Sequence, residues 1–245
     1  MGKPKGYVVW ESRQLVMILI VRSANVKTGD MSQSYILRKD RSPVKAVKDG
    51  SDKANCGNCP HRRKWVAALR KWVRSCYVNV GQAPLAVWNA WRAGKYPRYV
   101  PAEHGAQFTG RSLRIGSYGD PALVPVSVWE ELLTHFTGGH TGYTHQWREC
   151  DPAFARIVMA SADSQEDTIA ANRKGYRAFA VVGKAEVLPK GQNALNATLC
   201  VNSSHGKQCA DCTLCDGNPR EVRNPRNVYI QAHGVGAGRI ALSLV

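Results

Sequence analysis

The chain has 245 residues, with 34 Lys and Arg against 18 Asp and Glu, and 44% of it is apolar. That is enough apolar material to close a sizeable core within a single domain, so disordered and fibrous classes are excluded. The longest unbroken apolar run, residues 15–21, is seven residues long, far short of the roughly 20 a membrane span needs. The opening MGKPKGYVVWES has no apolar leader core, so a cytoplasmic protein with no membrane partner is expected.

Charge is unevenly placed. Residues 1–114 hold 22 Lys/Arg and 6 Asp/Glu, whereas residues 115–245 hold 12 of each. A one-sided field of this kind attracts polyanions, of which nucleic acid is the commonest soluble one.

In chain order, residues 7–10, 14–22 and 32–37 read as strands, giving a β-rich N-terminal part over residues 1–50. Residues 43–48 read as a short helix that opens on Pro43. Short apolar segments then recur at 76–80, 113–117, 140–147, 158–161, 177–182, 199–202 and 227–232, with helices expected at 84–93, 127–136 and 164–175. Ser127 and Glu130 read as a capping box, and Ser164 as a cap. Strand and helix alternating at this spacing imply parallel pairing. The expected fold is a single (β/α)8-like barrel spanning 1–245, with an open doubly wound sheet as the alternative.

A barrel keeps its chemistry just past the C-terminal ends of its strands. Those exits here carry Ser117, Tyr118 and Asp120, then Tyr143, His145, Gln146 and Trp147, then Asp163. Two carboxylates at a barrel mouth suit displacement at an anomeric carbon, one attacking while the other manages protons. Tyr118, Tyr143 and Trp147 suit stacking on an extruded base, and Ser117, His145 and Gln146 suit the rest of its binding.

Eight cysteines without an apparent leader point to metal rather than disulfides. Cys209, Cys212 and Cys215 stand at two-residue spacing with Cys200 nine positions before them, a zinc-ligand pattern within a knuckle at 200–216. His205 and His233 compete with Cys200 as fourth ligand. A second group, Cys56, Cys59 and Cys76 with His61, suits zinc or an iron–sulfur cluster. Residues 61–75, HRRKWVAALRKWVRS, read as a helix with one apolar stripe. Its Arg62, Arg63, Lys64, Arg70, Lys71 and Arg74 are candidates for a phosphate backbone. The tail Gly234-Val235-Gly236-Ala237-Gly238 before Arg239 suits a phosphate cradle.

Cys59-Pro60-His61-Arg62, Cys76-Tyr77-Val78-Asn79, Gly116-Ser117-Tyr118-Gly119-Asp120-Pro121, Gly142-Tyr143-Thr144-His145-Gln146-Trp147 and the 209–215 knuckle resemble a family of small bacteriophage proteins. These are the phage DNA guanine transglycosylases of 7-deazaguanine modification, which are similar to the zinc-containing (β/α)8 tRNA-guanine transglycosylases. The resemblance implies exchange of guanine in DNA for a free 7-deazaguanine base, in the host cytoplasm. It also implies an aspartate nucleophile and a second aspartate as acid/base, roles that fall on Asp120 and Asp163 by their places at strand ends. The tRNA enzymes complete their zinc site with a histidine, which favours His233 as a rival ligand. The Cys56, Cys59 and Cys76 group has no counterpart there. It keeps two alternatives in view: an iron–sulfur, radical-type phage enzyme acting on nucleic acid, and a non-enzymatic zinc protein that binds it.

Overall fold

In a computed structural model describing residues 4–23, 25–182, 196–212, 214–221, 223 and 226–232, three apolar strands open the chain. These are β1 (Gly6–Glu11), β2 (Leu15–Ile20) and β3 (Ser32–Arg38), paired antiparallel in that order. The helices α1 (Pro43–Asp49) and α2 (Lys53–Cys56) follow, then the hairpin strands β4 (Lys64–Val66) and β5 (Lys71–Val73), and the helices α3 (Ala83–Arg92) and α4 (Pro101–His104). Strand and helix then alternate through β6 (Leu113–Tyr118), α5 (Val126–Leu133), β7 (His140–Thr144), β8 (Met159–Ala162), α6 (Gln165–Arg173) and β9 (Ala178–Val182). The described C-terminal part holds β10 (Ala197–Leu199), α7 (Val201–His205), α8 (Cys209–Cys212) and β11 (Asn227–Gln231).

All but β4 and β5 join one nine-stranded sheet in the order β1-β2-β3-β6-β7-β8-β9-β11-β10. Every neighbouring pair from β3 to β10 is parallel. The protein is therefore mixed α/β with a large, mostly parallel sheet. Among the described residues no ladder joins its two ends. The last strand, β11, lies between β9 and β10 rather than at the edge.

The continuous apolar run of β2 follows from cover on both faces. Met17 and Leu19 pack with Ile36, Ile115 and Trp129, while Val16 and Ile18 pack with Leu37, Tyr118 and Val87 of α3. Side-chain caps set several boundaries. Ser42 accepts from Lys45 N ahead of α1, whose end turns left-handed at Gly50, and Ser164 accepts from Asp167 N ahead of α6. Helix α5 begins at Val126 after Pro125, so Ser127 lies inside it and the expected capping box is absent.

Three further expectations are corrected. Residues 61–75 form no α-helix; they hold β4 and β5, joined by one 3-10 turn at Ala67–Leu69 with Arg70 left-handed at φ 45°. The sequence Lys-Trp-Val occurs twice, seven residues apart, which mimics a helical repeat. Here the copies face each other across a hairpin that buries Val66 and Val73 and leaves Trp65 and Trp72 outside. Residues 76–80 are irregular rather than a strand. Residues 199–202 contain only the end of β10 before α7 begins. The Gly-rich tail 234–238 with Arg239, and His233, lie outside the described residues.

Gly119, between β6 and Asp120, has φ +86°, and a Cβ there would stand 2.5 Å from the Ile36 carbonyl oxygen. Left-handed strain and this backbone clash act together, so Gly119→Ala is expected to cost at least about 2 kcal/mol of unfolding free energy, read by urea denaturation.

Candidate functional site

Strand β6 is followed by Gly119, whose turn delivers Asp120 onto Asn55 through an Asp120 N–H to Asn55 carbonyl bond of 2.8 Å. The Asp120 carboxylate is 7% exposed and accepts bonds on both oxygens. Oδ1 accepts from Ala122 N at 3.0 Å and Thr144 Oγ1 at 2.7 Å. Oδ2 accepts from His145 N at 2.9 Å and Gln146 Nε2 at 3.3 Å. This carboxylate clamps the exits of β6 and β7 together. Gln146 extends the clamp: its Oε1 accepts from Asn58 N at 3.1 Å, and its amide fills the space a Cβ on Gly57 would need. The turn carrying Cys56 and Cys59 is thereby held against the β7 exit.

Asp163 follows β8 and has different neighbours. Its Oδ1 lies 2.8 Å from His61 Nε2, whose ring Nδ1 is 2.7 Å from Ser75 Oγ. Its Oδ2 faces His145 Nε2 at 3.5 Å, and that buried nitrogen has no hydrogen-bond partner of good geometry. The two imidazole rings meet edge to face with centroids 5.4 Å apart. His61, His145 and Asp163 thus offer three ligand atoms within 4.8 Å of one another and could hold a metal ion. The set comes from three distant parts of the chain, so sequence spacing alone could not reveal it. His145 and Asp163 also line an open cavity of about 330 Å³, with Pro60, Lys64, Arg148 and Glu149 on its wall.

The electrostatics of the pair are reciprocal. Burial by itself would raise the Asp163 carboxyl, but the imidazoles of His145 and His61 outweigh it and hold the group well below the usual carboxylate range. Burial likewise opposes charge on His145, yet the Cys59 sulfur and the Asp163 carboxylate hold the imidazole well above its ordinary value. Both shifts favour an imidazolium–carboxylate pair.

The first cysteine group lies beside that pair. Burial pushes the Cys56 and Cys76 thiols up, with each influenced by Cys59. Of the second group, burial raises Cys215 to about 12 and also raises Cys209, and both sense Cys200. All eight cysteines are free thiols. Among the described residues no three sulfurs of either group come within 4.8 Å of one another. The knuckle has a charge partner, however. Arg114 is 8% exposed, its guanidinium covers the Tyr143 ring at 4.4 Å, and NH2 reaches Tyr77 Oη at 3.3 Å. No carboxylate among the described residues pairs with it; burial opposes its charge, the Tyr143 and Tyr77 hydroxyls and then the Cys209 sulfur support it, and it in turn favours the Cys215 thiolate. A buried cation beside thiols fits an anionic thiolate centre. His205 is exposed and bonded to Ser204.

The remaining predicted residues are placed as follows. Trp147 is buried with its indole N–H on the Ser161 carbonyl at 3.0 Å, Tyr118 is buried, and Tyr143 packs on Phe179 at 4.4 Å. Ser117 Oγ is buried without a hydrogen-bond partner. Arg62 grips buried Asp52 at 2.6 Å, and Arg74 donates to the Cys76 and Val78 carbonyls. Arg63 stacks on Trp72 at 4.1 Å, and Lys64 lines the cavity. Arg70 and Lys71 are exposed at and after the hairpin turn. No helix of the described residues is long and apolar enough to cross a membrane. In comparison with known proteins, the chain matches no family model, no curated protein and no solved structure.

The sign of the pH dependence follows from the two shifts. A carboxyl depressed by folding contributes stability above its unfolded value near 3.8, lost as pH falls through the folded value. An imidazole raised by folding contributes below its unfolded value near 6.5, lost as pH rises through the folded value. His145→Gln should therefore lower the melting temperature most between about pH 4 and 6.5, where both contributions are present. Thermal unfolding across pH reads this, and the gap should narrow towards either extreme.

Proposed function

We propose that this protein is a DNA base-exchanging transglycosylase in which Asp163 is the reacting carboxylate. One observation carries the reading: Asp163 is ionised, lies on a cavity wall, and has Oδ2 facing a charged imidazole rather than committed to a good hydrogen bond. An ionised carboxylate beside a proton donor is what displacement at an anomeric carbon requires. The reading includes a (β/α)8-like closure of the sheet. It is supported by seven successive parallel strands with the candidate side chains just past their C-terminal ends.

In this mechanism Asp163 Oδ2 attacks C1′ of the target nucleotide as the bond from C1′ to guanine N9 breaks. The bond's electron pair leaves with guanine, which takes a proton from the His145 imidazolium. A free 7-deazaguanine base then gives its ring N–H proton to neutral His145 and attacks C1′. The ester bond to Asp163 breaks, its electron pair returns to the carboxylate, and no net oxidation occurs. His61 orients the nucleophile through Oδ1. Asp120 is assigned a positioning role, since both of its oxygens are engaged by four donors.

Zinc belongs to the proposal as a structural ion. Cys200, Cys209, Cys212 and Cys215 would hold it, with Arg114 offsetting the charge of the thiolates. Bound there, zinc would tie β10 and the knuckle together and take no part in the chemistry.

A second reading is favoured by the three ligand atoms of His61, His145 and Asp163. In it a metal ion occupies that triad beside Cys59, or iron engages Cys56, Cys59 and Cys76, and Asp163 is not a nucleophile. The deciding measurement pairs elemental analysis with base release from guanine-labelled duplex DNA on adding a 7-deazaguanine base. The proposal expects released guanine, at least about 10³-fold less of it in Asp163→Asn, and metal content unchanged in that variant. Metal lost from Asp163→Asn, or iron bound by the protein, would transfer the assignment to the second reading. Asp120→Asn turns two acceptor contacts into donor-facing ones. It should cost about 1–3 kcal/mol of stability while retaining measurable exchange.

A further inference from the structure

The β4–β5 hairpin is the most unusual surface of the protein. Trp65 and Trp72 stand directly opposite each other in its register and are 50% and 53% exposed, with ring centroids 5.8 Å apart. Tyr77, just beyond the hairpin, is 58% exposed. Large exposed aromatics in a group mark a contact surface rather than ordinary surface scatter. Arg63 lies flat on Trp72, which holds one indole in place and adds a planar cation to the same face.

The surrounding charge identifies the occupant. Residues 53–102 contain ten Lys and Arg and no Asp or Glu, and of these Arg62 pairs with Asp52 and Arg98 with Glu11 from outside the stretch. A protein partner would have to be acidic to meet the remaining cations, and a second copy of the chain would bring the same like charges against them. A nucleic-acid strand supplies both complements at once, phosphates for the cations and flat bases for the indoles.

The hairpin is rooted at the candidate site. His61 carbonyl accepts from Cys76 N at 3.0 Å and His61 Nδ1 meets Ser75 Oγ, so the residues closing the hairpin's base also present His61 to Asp163. Lys64 of β4 lines the cavity. The indole pair therefore rises from the rim of the cavity that holds Asp163.

We infer that Trp65 and Trp72 form a base-stacking platform for an unstacked nucleic-acid strand, placing the nucleotide next to the stacked base over the cavity. The inference rests on the nucleic-acid part of the proposed function but not on its chemistry. Stacking supplies affinity that is insensitive to salt, whereas Arg70 and Lys71 supply the salt-sensitive part.

The test is fluorescence anisotropy of a labelled single-stranded oligonucleotide, and of a duplex with one abasic site, titrated with the full chain over a salt series. The variants are Trp65→Ala/Trp72→Ala, Trp65→Phe/Trp72→Phe and Arg70→Gln/Lys71→Gln, each checked for an unchanged melting transition. The platform predicts a 10- to 100-fold weaker Kd in the double alanine variant with the salt slope unchanged. It predicts substantial recovery in the double phenylalanine variant and a shallower slope in the charge variant. Binding by the double alanine variant equal to the parent overturns it. So does a parent chain that binds neither oligonucleotide, or a hairpin whose alanine variant changes only self-association in sedimentation. Loss of binding in the alanine variant without any base exchange by the parent would sustain the platform and remove the transglycosylase.

Discussion

The arrangement around the candidate site depends on one buried carboxylate. Asp120 accepts from backbone or side-chain donors of Ala122, Thr144, His145 and Gln146, and so fixes the β6 exit against the β7 exit. Because Gln146 also holds Asn58, the same group sets where the Cys56–Cys59 turn lies. The His145 backbone N–H is tied to Asp120 at 2.9 Å, and its ring faces Asp163. A buried anion with four donors is stable where an unpaired one would be costly. Its chain of consequences reaches the site without Asp120 touching the cavity.

The two buried charges of the parallel sheet are treated differently. Asp120 is satisfied by neutral donors, while Arg114 has aromatic and hydroxyl neighbours and thiols but no carboxylate among the described residues. Burial keeps the Cys209 and Cys215 thiols towards their neutral form, so the Tyr143 ring and the Tyr77 hydroxyl are the main company of the Arg114 guanidinium. The imidazolium–carboxylate pair of His145 and Asp163 is a third solution, with partial access to the cavity.

Much of the framework was legible in the sequence because it rests on local rules. The strand segments at 113–117, 140–147, 158–161, 177–182 and 227–232 all overlap strands of the sheet, and Ser164 caps as its position suggests. Asp120 and Asp163 both stand at strand exits, yet sequence alone could not distinguish them. Their difference comes from partners far away in the chain, Thr144 for one and His61 for the other. The hairpin is hidden in the sequence because a Lys-Trp-Val repeat at seven-residue spacing satisfies helical periodicity. The left-handed Arg70 that reverses the chain gives no such signal, since Arg is an ordinary helix former. The aromatics at strand exits are largely enclosed, whereas the exposed Trp65 and Trp72 lie in that hairpin and Tyr77 just beyond it.

The position of β11 between β9 and β10 bears on how the molecule is made. During synthesis β10 emerges before the strand that hydrogen-bonds to it, and β11 is its one ladder partner among the described residues. The edge of the sheet must therefore wait with an unpaired strand until the chain has grown past residue 231. Only then can Cys200, whose N–H bonds to the Tyr229 carbonyl at 2.8 Å, be anchored near the other knuckle cysteines. Parallel pairing across a long stretch of chain is slow to form. The anchoring of Cys200 thus depends on the latest described strand, whereas Asp163 takes its neighbours from His61 and His145, both earlier in the chain.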